Sequence, residues 1–143
     1  MSVLVDTNVW LDVLLHRQPF EALSRAMLMA CIDDDIPLHV VSTSIKDIFY
    51  IMERAHNADD AYRAVESVLT LAAVSPVDAV VCERALDLER PDYEDGIVAA
   101  AALADKHDAI VSRDEKAFVD LPIPRFTPQG YLEHLGYEGI ELP

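Results

Sequence analysis

The chain has 143 residues, enough for one compact domain (1–143) and too few for two. With 52% hydrophobic and 26% charged residues it can bury a core, which excludes intrinsic disorder, and its longest uncharged runs, such as residues 67–77, fall far short of the ~20 apolar residues of a membrane span. Eleven Lys and Arg against 26 Asp and Glu give a net charge of −15, with no basic cluster of the kind that grips nucleic-acid phosphates by counterion release.

The start, Met1-Ser2-Val3-Leu4-Val5-Asp6, has no basic region and meets an acid after three apolar residues, so it does not read as a secretory signal and a cytoplasmic location is expected. Val3 to Val5 reads as a short strand ending at Asp6, and Val9 to Leu15 continues with helical spacing. After Pro19, apolar residues Leu23, Ala26, Met27, Ala30 and Cys31 recur at helical spacing until Asp33-Asp34-Asp35 ends the segment. Leu38 to Val41 is a second strand. Ser42-Thr43-Ser44 then offers cap residues before the helical stripe Ile45, Ile48, Phe49, Met52.

Asn57 opens a further helix through Leu71, Ala73 to Ser75 forms a short strand, and Val77 to Leu88 reads as helix. Pro91 and Asp92 precede an Ala-rich helix carrying Ile97, Val98, Ala101 and Ala102, which is small-faced enough to lie close on a sheet. Ala109 to Ser112 is a clear strand. The segment 122–126 holds two prolines and can only be a short edge strand, and Thr127-Pro128 opens a last helix that Gly136 ends. Short strands alternating with helices imply parallel βαβ units, an α/β domain of three layers (α/β/α) around a short, mostly parallel central sheet. Cys31 and Cys82 lie inside apolar helical patterns and read as reduced thiols. The histidines at 16, 39, 56, 107 and 134 share no metal-ligand spacing and read as surface or local structural groups.

In such sheets ligands bind beyond the carboxyl ends of the strands. Asp6 and Asp114 stand there, just past the first strand and the strand 109–112. Asp47 and Asp95 fall in the first turns of helices that start at the same rim, with Asp92 and Glu94 beside Asp95. Each has an innocent reading: Asp47 lies three residues after Ser44, and Asp95 three after Asp92, both capping-box spacings; Asp6 could form an Asx turn and Asp114 open a short helix. Together, four converging carboxylates repel one another unless a cation neutralises them. Ligation by oxygen alone favours Mg2+ or Mn2+ over zinc. A domain of this size needs no metal to hold its core, so a metal here would be functional.

The motifs Val5-Asp6-Thr7-Asn8-Val9-Trp10-Leu11-Asp12, Tyr93-Glu94-Asp95-Gly96-Ile97 and Ile110-Val111-Ser112-Arg113-Asp114 resemble those of PIN-domain ribonucleases in order and spacing along nearly the whole chain. The closing segment 122–132 is similar to that of bacterial members, including VapC-type toxins of toxin–antitoxin pairs. The resemblance implies a metal-dependent endoribonuclease whose catalytic and metal-binding carboxylates are Asp6, Asp47, Asp95 and Asp114, leaving 5′-phosphate and 3′-hydroxyl ends. Thr7, Asn8, Asp92 and Ser112 are implied as hydrogen-bonding or outer-sphere groups. The family normally has Glu where this chain has Asp47, one methylene shorter. That departure and the acidic surface motivate an alternative, a non-catalytic PIN-like module that binds RNA or protein.

With a cation at the cleavage point the net charge no longer excludes RNA. Arg17, Arg25, Lys46, Arg54, Arg113 and Lys116 are candidate guides for its backbone, Arg113 and Lys116 foremost. The resemblance also implies a homodimer and an inhibitory antitoxin protein with a basic or apolar segment. Trp10, Phe20, Phe49 and Tyr50 are candidate interface aromatics. A receiver domain would need a Lys ending a late strand, and a haloacid-dehalogenase-like phosphatase an Asp two residues after its nucleophile, where this chain has Asn8.

Overall fold

In the computed structural model of the chain, which describes residues 1–88 and 92–137, five strands form one sheet, and every neighbouring pair is parallel. The strands are β1 (Val3–Val5), β2 (Leu38–Val41), β3 (Ala72–Ser75), β4 (Ala109–Val111) and β5 (Arg125–Phe126), in the spatial order β3-β2-β1-β4-β5. Seven helices accompany them among the described residues: α1 (Thr7–Leu14), α2 (Glu21–Asp33), α3 (Ser42–Ala55), α4 (Ala58–Leu71), α5 (Ala79–Ala85), α6 (Tyr93–Ala104) and α7 (Pro128–His134). Pro91 and the last six positions of the expected domain, 138–143, lie outside the described residues.

Because side chains alternate across a strand, each strand feeds two cores. Val3, Val5, Leu38, Val40, Ala109 and Val111 face one way, onto side chains such as Trp10 of α1, Met27 of α2, Ile48 of α3, Val68 of α4 and Tyr131 of α7. Leu4, Val41 and Ile110 face the other way, onto Val81 and Ala85 of α5 and the stripe Val98 to Ala102 of α6. Burying each Val, Leu or Ile in these layers contributes roughly 1.5–3 kcal/mol. The three-layer α/β/α expectation therefore holds, with the sheet wholly parallel.

Several boundaries differ from expectation for local reasons. Asp6 is itself the N-cap of α1, so that helix starts at Thr7. Val41 is the N-cap of α3 and makes no side-chain cap bond; Ser42, Thr43 and Ser44 already lie in its first turn. The Ser42 hydroxyl instead accepts from the Val77 amide at 3.1 Å, and the Ser44 hydroxyl accepts from Thr7 at 2.6 Å. α5 is shorter than Val77 to Leu88 because Asp78 caps it, accepting from the Val81 amide at 2.9 Å. Between β4 and β5 the chain crosses in turns rather than a helix, anchored by buried Ala117, Phe118 and Ile123.

Four helices end in one way. After α1, α2, α6 and α7 a residue with positive φ follows the C-cap (His16, Asp35, Lys106, Gly136), and the next amide folds back to the helix, as His107 N does onto Ala102 O at 3.1 Å. This is the Schellman arrangement, and only one of the four uses glycine. Cys31 and Cys82 are free thiols, and burial pushes the Cys31 thiol up to about 12.

Candidate active site

The carboxyl ends of β1 and β4 and the first turns of α1, α3 and α6 surround an open cavity of about 600 Å3. Asp6, Asp47, Asp95 and Asp114 all line it, as do Thr7 and Asn8. The four acids expected to converge therefore do so.

Asp6 is held from both sides. One carboxylate oxygen accepts from the Thr7 amide at 2.9 Å and the other from the Ser112 hydroxyl at 2.8 Å, while its own amide donates to Val111 O at 2.9 Å. Capping and site membership thus coexist in one residue. Ser112 is fully buried behind Asp6 and also accepts from the Asp114 amide at 3.1 Å, so one hydroxyl orients one acid and the backbone of another. Asp92 does not line the cavity; it caps α6 by accepting from the Asp95 amide at 2.8 Å. Asp114 sits in a turn, not a helix, and accepts from the Lys116 amide at 3.0 Å. Asp47 is half-exposed beside Lys46 Nζ, 3.6 Å away; because Val41 is the N-cap, Asp47 falls in the second turn of α3 and not in the expected first, beyond the position of a capping-box acid.

The electrostatics are unfavourable to anions. Burial raises the Asp6 carboxyl above its ordinary value against the hydrogen bonds from Ser112 and Thr7, and Asp114 adds repulsion. Burial, then the nearby charges of Asp92, Asp114 and Asp6, push Asp95 up to about 7. Only a proton or a cation relieves such a cluster. No His or Cys lines the cavity among the described residues, so the donors are hard oxygens that fit Mg2+ or Mn2+.

Other lining groups carried weaker sequence signals. Thr43, Asp47, Tyr50 and Ile51 line the cavity at helical spacing along α3, a stripe legible once Asp47 was placed. Tyr50 is 56% exposed there, so it is not core. Glu94 adds a fifth carboxylate to the lining. Asp12 has a different part: completely buried on α1, it accepts two hydrogen bonds from Arg113, at 2.8 and 2.9 Å, and one from Ser24 at 3.0 Å. An acid inside the apolar run 9–15 had to be buried with a partner.

That pairing corrects the expectation for Arg113. Its guanidinium is committed to Asp12 and lies 3.8 Å over the Phe20 ring, so it braces the turn carrying Asp114 and is not free to guide a nucleic-acid backbone. Of the other basic residues, Arg25 pairs with Glu21 and Arg17 reaches Asn8; Lys46 lines the cavity. Trp10 is core, Phe49 packs edge-on against Tyr62, and Phe20 sits under Arg113. The histidine expectation needs a second correction: His39 and His107 are neither isolated nor at the surface alone, because the turn at Lys106 folds His107 back until the two rings are 4.4 Å apart.

Residues 2–116 match the PIN domain family. No curated protein matches the sequence significantly. Among solved structures, FitAcB from Neisseria gonorrhoeae is similar with a TM-score of 0.69 at 20% identity, over 89% of this chain and 98% of that one. The DNA-bound VapBC of Salmonella typhimurium follows at 0.68 and 14% identity, over 90% and 98% of the two chains. VapC20 of Mycobacterium tuberculosis, described as a sarcin-ricin-loop-cleaving toxin, gives 0.66 at 15% identity, over 80% and 91%. At these identities the likeness is one of fold.

Proposed function

The chain belongs to the PIN-domain family, and from that premise we propose that it is a cytoplasmic, metal-dependent endoribonuclease, the toxin of a toxin–antitoxin pair. The observation that carries this reading is the meeting of Asp6, Asp47, Asp95 and Asp114 around one cavity, with Asp95 pushed up to about 7. Asp6, Asp95 and Asp114 would hold a Mg2+ or Mn2+ ion, with Asp47 reaching it directly or through water. Such an ion supplies charge neutralisation at the scissile phosphate and acidifies attacking water.

The chain's own groups set the geometry. Ser112 and the Thr7 amide fix the Asp6 carboxylate in a single orientation, and Arg113, locked to Asp12, fixes the turn that presents Asp114. The exposed ring of Tyr50, over one face of which the Arg54 guanidinium lies 5.5 Å from the centroid, leaves its other face as a surface on which an unpaired base can stack, and Lys46 offers a nearby charge for the RNA backbone. A toxin–antitoxin complex from Klebsiella pneumoniae among the structural neighbours supports an antitoxin partner; the homodimer rests on the family resemblance alone. A net charge of −15 suits a partner whose inserted segment is basic.

The test is cleavage of a pool of tRNA, ribosomal RNA and single-stranded oligonucleotides with Mg2+, Mn2+ or excess EDTA. Cutting should require metal, fall on the order of 100-fold or more in Asp6→Asn and Asp95→Asn, and be silenced by a co-expressed antitoxin. Cutting that survives EDTA or Asp95→Asn would sink the site assignment. If the native chain and Asp47→Glu both fail to cut while folded and partner-free, the non-catalytic binding module is the better reading.

A further inference from the structure

On the α5–α6 face of the sheet lies a second polar cluster that the nuclease reading does not use; it gathers the C-cap of α6, the residue two before β4's start and β2's second residue with Ser75, the last residue of β3. His39 lies on β2 and alternates with Leu38 and Val40, so it faces the α5–α6 layer together with Val41. Asp105 is the C-cap of α6, and Lys106 at φ 55° turns the chain so that His107 tucks beneath it. Asp105 Oδ2 stands 3.2 Å from His107 Nε2 and 3.6 Å from His39 Nδ1. The Ser75 hydroxyl is central: it lies 2.7 Å from Asp105 Oδ2, 2.8 Å from His107 Nε2 and 3.3 Å from His39 Nδ1. The ligand atoms of His39, Asp105 and His107 all lie within 4.8 Å of one another.

The two separations from Asp105, 3.2 and 3.6 Å, bracket the edge of a coordination shell, whereas the Ser75 contacts are hydrogen-bond lengths. Nitrogen and oxygen ligands about 2.0–2.1 Å from a tetrahedral ion stand about 3.3 Å apart. The surrounding contacts fit as well: a hydrogen bond donated by His107 Nδ1 to the Ser2 hydroxyl, 2.7 Å away, leaves the Nε2 lone pair facing Asp105, the arrangement that orients histidine ligands. Access is open on one side only, since the His107 side chain is 1% exposed but those of His39 and Asp105 are 20% and 38%. A hydrolytic Ser–His–Asp reading fails here: Ser75 is fully buried, and the carboxylate contacts the hydroxyl rather than His107 Nδ1.

We propose that His39, His107 and Asp105 form a site for a borderline divalent transition ion of the zinc class, with the Ser75 hydroxyl or a water in the fourth position. Two imidazoles and one carboxylate select such an ion over Mg2+. The site is separate from the acidic cavity: Asp105 is ten positions after Asp95 along α6, about 15 Å along the helix axis. Bound there, the ion ties the end of α6 to β2 and, through Ser2, to the start of β1.

The experiment is calorimetric titration of Zn2+ into the whole chain in saturating Mg2+, with thermal melts alongside. One ion should bind per chain and raise Tm. The affinity should fall at least 10-fold in His39→Ala and in Asp105→Asn, both on the exposed side of the cluster, and stay unchanged in Asp95→Asn. Co2+ in place of Zn2+ should give the intense visible bands of four-coordinate cobalt in the native chain and lose them in His39→Ala. Absence of saturable binding would overturn the proposal and leave a hydrogen-bonded cluster. Binding lost in Asp95→Asn yet kept in His39→Ala would overturn it equally, by putting the ion in the acidic cavity.

Discussion

At the carboxyl ends of the strands the polar groups repel: Asp6 and Asp95 are both raised above their ordinary range, and among the described residues no cation forms an ion pair with either as Arg113 does with Asp12, the Arg113 charge offsetting the Asp6 shift only in part. In the second cluster the polar groups satisfy one another: Ser75 contacts His39, Asp105 and His107, and Ser2 contacts His107. Burial holds the His107 imidazole below its ordinary value, favouring the neutral form that such a cluster can satisfy. One sheet thus carries one cluster that stays strained without a ligand and one that is internally content. Strain concentrated where the fold binds ligands is what a functional site looks like before its ligand arrives.

The sharpest way to probe that contrast is to turn a satisfied acid into an unsatisfied one. Arg113→Met leaves Asp12 charged and buried, and should cost about 3–5 kcal/mol in urea denaturation. Adding Asp12→Leu should recover most of that loss; a cost below about 1 kcal/mol for the single variant would mean the pair is unimportant.

Removing an unsatisfied acid should do the reverse. Asp95→Asn should raise the Tm of the metal-free protein while abolishing activity, the trade expected where function is kept at the expense of stability. The sign of the pH dependence follows: with Asp95 at about 7 in the folded chain and 3.8 as its ordinary value, the folded state holds more protons between those values. Metal-free stability should therefore fall as pH rises from about 4 to 7, and Asp95→Asn should flatten that slope. A slope of the opposite sign would show that the cluster is not repulsive.

The smallest effect lies at the content cluster. Lys106→Gly relieves a positive φ and should stabilise by roughly 0.5–1 kcal/mol, measured by thermal melts; a loss would show that the Lys106 side chain contributes a contact of its own.

What could be read from the chain and what could not divide along sequence distance. The strands and the acids at 6, 95 and 114 were legible because short apolar runs end where ligands bind, a local pattern joined to a general rule. Asp47 was legible from the helix that follows the second strand, although it lies a turn further along than expected. Arg113 could not be placed because its partner, Asp12, is 101 residues away, and a charge in sequence looks the same whether it is solvated or buried. The histidine cluster was hidden for a similar reason: its ligands come from separate segments, two of them joined by a helix end that turns at lysine where glycine would have given the signal.

The strand order carries a last consequence, for the timing of synthesis. β1 leaves the ribosome first, yet its neighbour β4 follows about a hundred residues later, and the Ser112 bond that fixes Asp6 spans 106 positions. A nascent chain that stops before β4 already holds Asp6, Asp47 and Asp95 but lacks the strand against which Asp6 leans. Such long-range pairing forms late because the entropy of closing the loop must be met before any contact rewards it. Whatever chemistry the cavity performs therefore waits for β4, and a fragment that ends before it, carrying three of the four acids, should show none.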